Sequence, residues 1–121
     1  MMAQPQTLLG IVGPCAAGKT TLVSALRARG ISCKAIAQEH SYVPDMWQRL
    51  TRPERLIFLE VSYPVTVQRR KLDWTVEEYE TQLYRLRHAY QHADLRIATD
   101  QLTPQQILER VLEFLDQTRN P

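Results

Sequence analysis

The run Gly13-Pro14-Cys15-Ala16-Ala17-Gly18-Lys19-Thr20 fits the pattern G-x-x-x-x-G-K-[ST] at every fixed position. Gly13 and Gly18 let the backbone turn tightly and bring successive N–H groups, through Pro14, Cys15, Ala16 and Ala17, close to phosphate oxygens. A helix that starts at the end of such a loop points its positive N-terminus at the bound anion, and Thr21 extends the binding set into its first turn. Lys19 reaches β- and γ-phosphates as a point charge, and the Thr20 hydroxyl is placed to ligate Mg²⁺. A chain of this length meets the pattern by chance roughly once in several hundred, so the flanking elements must decide. The chemistry expected is nucleoside triphosphate binding.

The carboxylates that would complete such a site are less sharply marked. Glu39 follows a short apolar segment directly and should lie at the carboxyl edge of a sheet, where α/β ligands bind, as a holder of Mg²⁺ through water. Asp45 lies just beyond, as a group to polarise an acceptor hydroxyl, or simply as a helix cap. Glu60 ends the apolar run Leu56-Ile57-Phe58-Leu59, either as a metal-side acid or as the partner of a nearby arginine. The polar stretch Gln38-Glu39-His40-Ser41-Tyr42-Val43 would line an acceptor pocket or sense the γ-phosphate, with His40 a base or merely solvated. Arg69 and Arg70 are the arginines to neutralise transition-state charge, because the guanidinium fork spans phosphate oxygens. Arg85 and Arg87 fit a solvated helix face. Trp47 and Trp74 would stack on a base or pack internally. His88 and His92, four apart, read as surface residues.

The elements that position these groups follow from periodicity. Thr7–Val12 is a continuous apolar run suited to a strand buried on both faces. Lys19–Arg29 is a helix with Leu22, Val23 and Leu26 on one stripe, stopped by Gly30. Ile31–Ala37 is a second strand, completing a right-handed βαβ unit. A short turn of helix is expected over Asp45–Leu50, then a strand over Leu56–Ser62. A helix opened by Tyr63-Pro64 should run to about Lys71. Thr75 and Glu78 form a capping box for a helix to about Ala93, with Val76, Tyr79, Leu83, Leu86 and Tyr90 inward. A strand at Leu95–Ala98 and a second capping box, Thr103/Gln106, lead into the last helix. Strands alternating with helices predict a three-layer α/β/α fold on a small, mostly parallel sheet of about four strands.

Composition sets bounds. The chain has 121 residues, 15 Lys+Arg against 13 Asp+Glu, and is 44% hydrophobic. One domain over residues 1–121 is expected, with one core and little to spare. The near-balanced charge, with no basic stripe interleaved with aromatics, argues against a nucleic-acid partner. No apolar run approaches the roughly 20 residues that span a bilayer, and the N-terminus lacks a basic segment before an apolar one. Cys15 and Cys33 then read as free thiols of a reducing cytoplasm. The Asn/Thr-Lys-x-Asp signature of guanine selection is absent, which favours ATP. An open sheet edge in so small a chain would gain from a homodimer.

The pattern resembles the P-loop NTPase superfamily and, within it, the small-molecule kinases of the nucleoside, nucleotide, shikimate and gluconate type. Besides the glycine-rich loop, Leu56–Pro64 is similar to the strand and helix start that precede their lid. Arg69-Arg70 falls where lid arginines face the phosphates, and Ala93–Pro104 looks like their last strand, adenine-contacting loop and C-terminal helix. The resemblance implies ATP and Mg²⁺ as cofactors and a small-molecule phosphate acceptor. It also marks departures. The further strand ending in Asp and the acceptor segment of those kinases are compressed into residues 38–55, and the lid is cut to about Lys71–Thr75. A nucleotide-binding regulatory module with its acceptor site lost is the alternative.

Overall fold

The computed structural model describes residues 8–70 and 73–119. The elements run β1 (Leu9–Val12), α1 (Lys19–Ala28), β2 (Cys33–Ala35), a 3₁₀ turn (Gln38–His40), α2 (Met46–Leu50), β3 (Arg55–Glu60), α3 (Tyr63–Arg70), α4 (Val76–Arg85), α5 (Arg87–His92), β4 (Leu95–Ala98) and α6 (Pro104–Arg119). Thr7, Lys71 and Leu72, with which the expected first strand, third helix and short lid begin or end, lie outside the described residues.

The four strands form one parallel sheet in the order β2-β1-β3-β4. β1 and β3 are central and shielded on both faces, which is why they read as unbroken apolar runs. On one face, Leu9, Ile11, Ile57, Leu59 and Ile97 meet Leu22, Val23 and Leu26 of α1 and Ile107, Leu108 and Val111 of α6. On the other, Val12, Leu56 and Phe58 meet Leu86 and Ala89 of α5 together with Trp47. The three-layer α/β/α arrangement is therefore present. β2 pairs directly with β1, so the carboxyl end of β2 stands beside the end of β1 and its loop.

Both capping boxes form: Thr75 Oγ1 accepts the Glu78 N–H while Glu78 Oε1 accepts the Thr75 N–H, and Thr103 and Gln106 repeat the exchange. Gly30 adopts φ +77° past α1, and its N–H reaches Arg27 O. The second strand is shorter than Ile31–Ala37, with ladder pairing confined to Cys33–Ala35. The helix expected from Val76 to about Ala93 is two helices meeting at Leu86. Leu86 is buried as expected, but Val76, Leu83 and Tyr90 are exposed whereas Gln82 and Ala89 are buried. The buried face is shifted by one residue because α4 covers a polar loop as well as an apolar core. No helix among the described residues is long and apolar enough to cross a membrane.

Candidate functional site

The glycine-rich loop leaves the end of β1 in a shape that only certain residues tolerate. A Cβ on Gly13 would lie 2.4 Å from the Leu59 carbonyl oxygen of β3, so any side chain there would push the two central strands apart. Gly18 turns into α1 with φ +100°. Ala16 is also left-handed, φ +68°, a costly conformation for a residue with a Cβ and one that must be enforced by its surroundings.

Two distant side chains do the enforcing. Arg69 Nη1 donates to Ala16 O at 3.1 Å and to Thr99 Oγ1 at 3.0 Å, while Nη2 donates to Thr99 O at 2.6 Å. Thr99 is fully buried at the end of β4, and its hydroxyl donates to Glu60 O of β3 at 2.7 Å. Gln82 of α4 grips the next residue twice: Oε1 accepts the Cys15 N–H at 2.9 Å and Nε2 donates to Cys15 Sγ at 3.1 Å. The loop is thus pinned at adjacent peptides from α3 and from α4.

Lys19 lies over this loop, donating to the carbonyls of Gly13 and Pro14. It also donates to Glu39 Oε2 at 2.7 Å, in an ion pair whose side chains are 12% and 6% exposed. Glu39 arrives there because the 3₁₀ turn follows β2 immediately beside the end of β1. Its second oxygen, Oε1, is buried without a hydrogen-bond partner among the described residues. An unpaired buried carboxylate oxygen is costly, and the arrangement is suited to accept a further cation or polarised water.

These groups share a cavity of about 660 Å³. Residues Cys15 to Thr21, Glu39 and His40 line its polar part, Arg69 and Arg70 its flank, and Leu102 with Pro104 and Ile107 of α6 an apolar part. The helix start, Lys19 and Arg70 gather positive charge along this cavity, and its apolar residues offer a surface on which a ring could rest. Thr20 and Glu39 supply the hard oxygen donors that suit Mg²⁺, so the residues present fit that ion.

Asp45 is not brought into this group. It stands before α2, where Oδ1 accepts from Arg49 Nε at 2.9 Å one turn on, and that bond holds its carboxyl below the usual range. The i,i+4 spacing makes this pairing local, and Asp45, half-buried, is not among the residues lining the cavity. Gln38 is fully buried and structural: Nε2 donates to Val43 O and Arg85 O, and Oε1 accepts the Trp47 N–H. Trp47 is buried, with Nε1 donating to His88 Nδ1 at 3.1 Å, and His88 stacks on His92. Trp74 joins Tyr63 and Tyr79 in an aromatic cluster and donates to Thr66 Oγ1. Neither tryptophan faces the cavity. Arg85 donates to Glu39 O and covers the Tyr42 ring.

Glu60 belongs to a second cavity, of about 550 Å³, on the α4–α5 side of the loop. It shares that wall with Asp100, Arg87, Tyr79 and Pro14. Burial, with Asp100 and Glu60 nearby, raises the Tyr79 pKa above its ordinary value, and its hydroxyl donates to Val61 O at 2.6 Å.

The residues that sequence reading missed are Gln82 and Thr99. A signal for Gln82 existed: Tyr79, Gln82, Leu86 and Ala89 recur at helical spacing as well as the more apolar set does, and only the loop's need for an amide chooses between them. Thr99 carried no comparable mark.

No protein-family model matches the chain, and no curated protein matches it by sequence. Solved structures do match. One is a shikimate kinase from Bacteroides thetaiotaomicron, 15% identical, with a TM-score of 0.55 over 91% of this chain and 98% of that one. The chain therefore has a P-loop kinase-like α/β fold. The likeness to the shikimate kinase is one of fold.

Proposed function

We propose that the chain binds a nucleoside triphosphate, ATP by preference, with Mg²⁺, and acts as a small kinase-like phosphotransferase or weak NTPase. The observation that carries this reading is the strained loop, pinned at Ala16 and Cys15 and roofed by Lys19 in a cavity with an apolar part. Lys19 would exchange carbonyl and carboxylate partners for β- and γ-phosphate oxygens. Thr20 and Glu39 would hold Mg²⁺, which when bound would supply positive charge to neutralise the phosphates. With Arg69 engaged by the loop and Thr99, Arg70 is the arginine on the cavity flank left to meet a transferring phosphoryl group. Catalysis would rest on positioning and charge neutralisation. The acceptor would be a small molecule.

One observation favours a second reading, a nucleotide-binding regulatory module. The segment between β2 and β3 is filled by the packing of Trp47 on His88 and by the bonds of Gln38, where an acceptor pocket was expected. Incubation with Mg·ATP and a metabolite panel, following ADP in wild type and in Lys19→Ala, separates the two. Turnover that needs Lys19 and one added acceptor supports the phosphotransferase. Lys19-dependent binding without ADP supports the module.

A further inference from the structure

Cys15, Glu39 and His40 converge at the mouth of the first cavity, and the nucleotide reading uses neither the thiol nor the imidazole. Cys15 Sγ lies 4.0 Å from His40 Nε2, which lies 3.8 Å from Glu39 Oε2. One thiol sulfur, one carboxylate oxygen and one imidazole nitrogen fall within 4.8 Å of one another. The buried Oε1 of Glu39, unpartnered among the described residues, is an independent sign that this carboxylate has unused capacity.

We propose that these three side chains form a site for a thiophilic divalent metal ion of the zinc type, whose occupancy excludes Mg·ATP. A tetrahedral Zn²⁺, with bonds of about 2.0–2.3 Å, sets its ligand atoms about 3.3–3.6 Å apart. The Cys15–His40 and His40–Glu39 separations must close by about half an ångström, and the Cys15–Glu39 separation, within 4.8 Å, by up to about an ångström, which side-chain rotation can supply. His40, 60% exposed, has room to turn toward the other two ligands. Sulfur and imidazole select zinc, cobalt or copper over magnesium, and the cavity leaves a fourth position for water. Binding releases the Cys15 thiol proton, forms the metal–sulfur bond and replaces the bond from Gln82 Nε2. It also claims the Glu39 carboxylate that otherwise serves Lys19 and Mg²⁺. The exclusion rests on the nucleotide reading, but the site itself does not.

Cobalt(II) is the probe, added to the full chain without nucleotide and followed by thiolate-to-cobalt charge-transfer absorption. The expected result is one equivalent bound with that band, which zinc abolishes by displacement. Cys15→Ser should lose the band and Cys33→Ser, at the buried second cysteine, should keep it. His40→Ala should weaken binding at least tenfold, whereas Lys19→Ala should bind cobalt at least as tightly, its competing cation gone. Absence of the band, its survival in Cys15→Ser, or unchanged affinity in His40→Ala overturns the site. In protein shown to bind ATP, a cobalt affinity unmoved by saturating Mg·ATP overturns the exclusion. Failure of Lys19-dependent ATP binding would strike the nucleotide reading and leave the cobalt titration to decide the metal site.

Discussion

The two cavities flanking the loop differ in how they are assembled. The first is built around one contiguous loop, with Lys19 paired to the buried Glu39 and two arginines brought in from α3. The second collects Glu60, Asp100 and Arg87 from three separate elements, with the aromatic rings of Phe58, Tyr79 and Tyr90 around them. The first contains a backbone strained into shape and held there, the second does not include such a position among its lining residues. Strain and a buried ion pair are sustained where a ligand is to be met, and this contrast supports the proposal that the first cavity is the donor side.

Breaking the ion pair should have the largest effect. Lys19→Met leaves Glu39 buried without its cation and should cost about 3–5 kcal/mol in denaturant unfolding. Adding Glu39→Gln should return most of that loss, because the uncompensated charge is then gone. Arg69→Ala removes the bonds that hold Ala16 left-handed. It should cost about 2–3 kcal/mol and weaken nucleotide binding, and Arg69→Lys should fail to rescue, since one ammonium cannot span Ala16 O and Thr99. Gln82→Met leaves the Cys15 N–H unpaired, at about 1–3 kcal/mol. Equal losses from changes in the second cavity, such as Arg87→Ala, would erase the contrast. Asp45→Asn should leave nucleotide affinity unchanged in calorimetry, because its carboxylate is bound by Arg49 and it does not line the cavity.

The smallest effect expected is alkaline and belongs to the second cavity. Tyr79 holds its proton more tightly folded than unfolded, so its contribution is complete below the ordinary tyrosine value of about 10 and is lost as pH rises past it. Stability of the wild type should fall above that pH with an added slope that Tyr79→Phe lacks.

Much of this was legible in the sequence because the determinants were local. The loop, both capping boxes, the glycine stop after α1 and the buried central strands each depend on residues close together in the chain. Glu39 was legible too, since a carboxylate just after β2 must lie at the sheet's carboxyl edge. What was not legible depends on pairs far apart: Gln82 with Cys15, and Arg69 with Ala16 and Thr99. Periodicity scores apolar residues, so it set Leu83 inward, and nothing local told that α4 would face backbone donors. Asp45 was misjudged for a related reason, as proximity to the site in sequence outweighed an available partner one helical turn away.

The most direct test is isothermal titration of Mg·ATP into wild type and into the folded Lys19→Met/Glu39→Gln double variant, with unfolding curves for both. The account predicts one site in the wild type and at least tenfold weaker binding in a double variant of near wild-type stability. Equal affinity in the two proteins, or no binding of any triphosphate by the wild type, would contradict it.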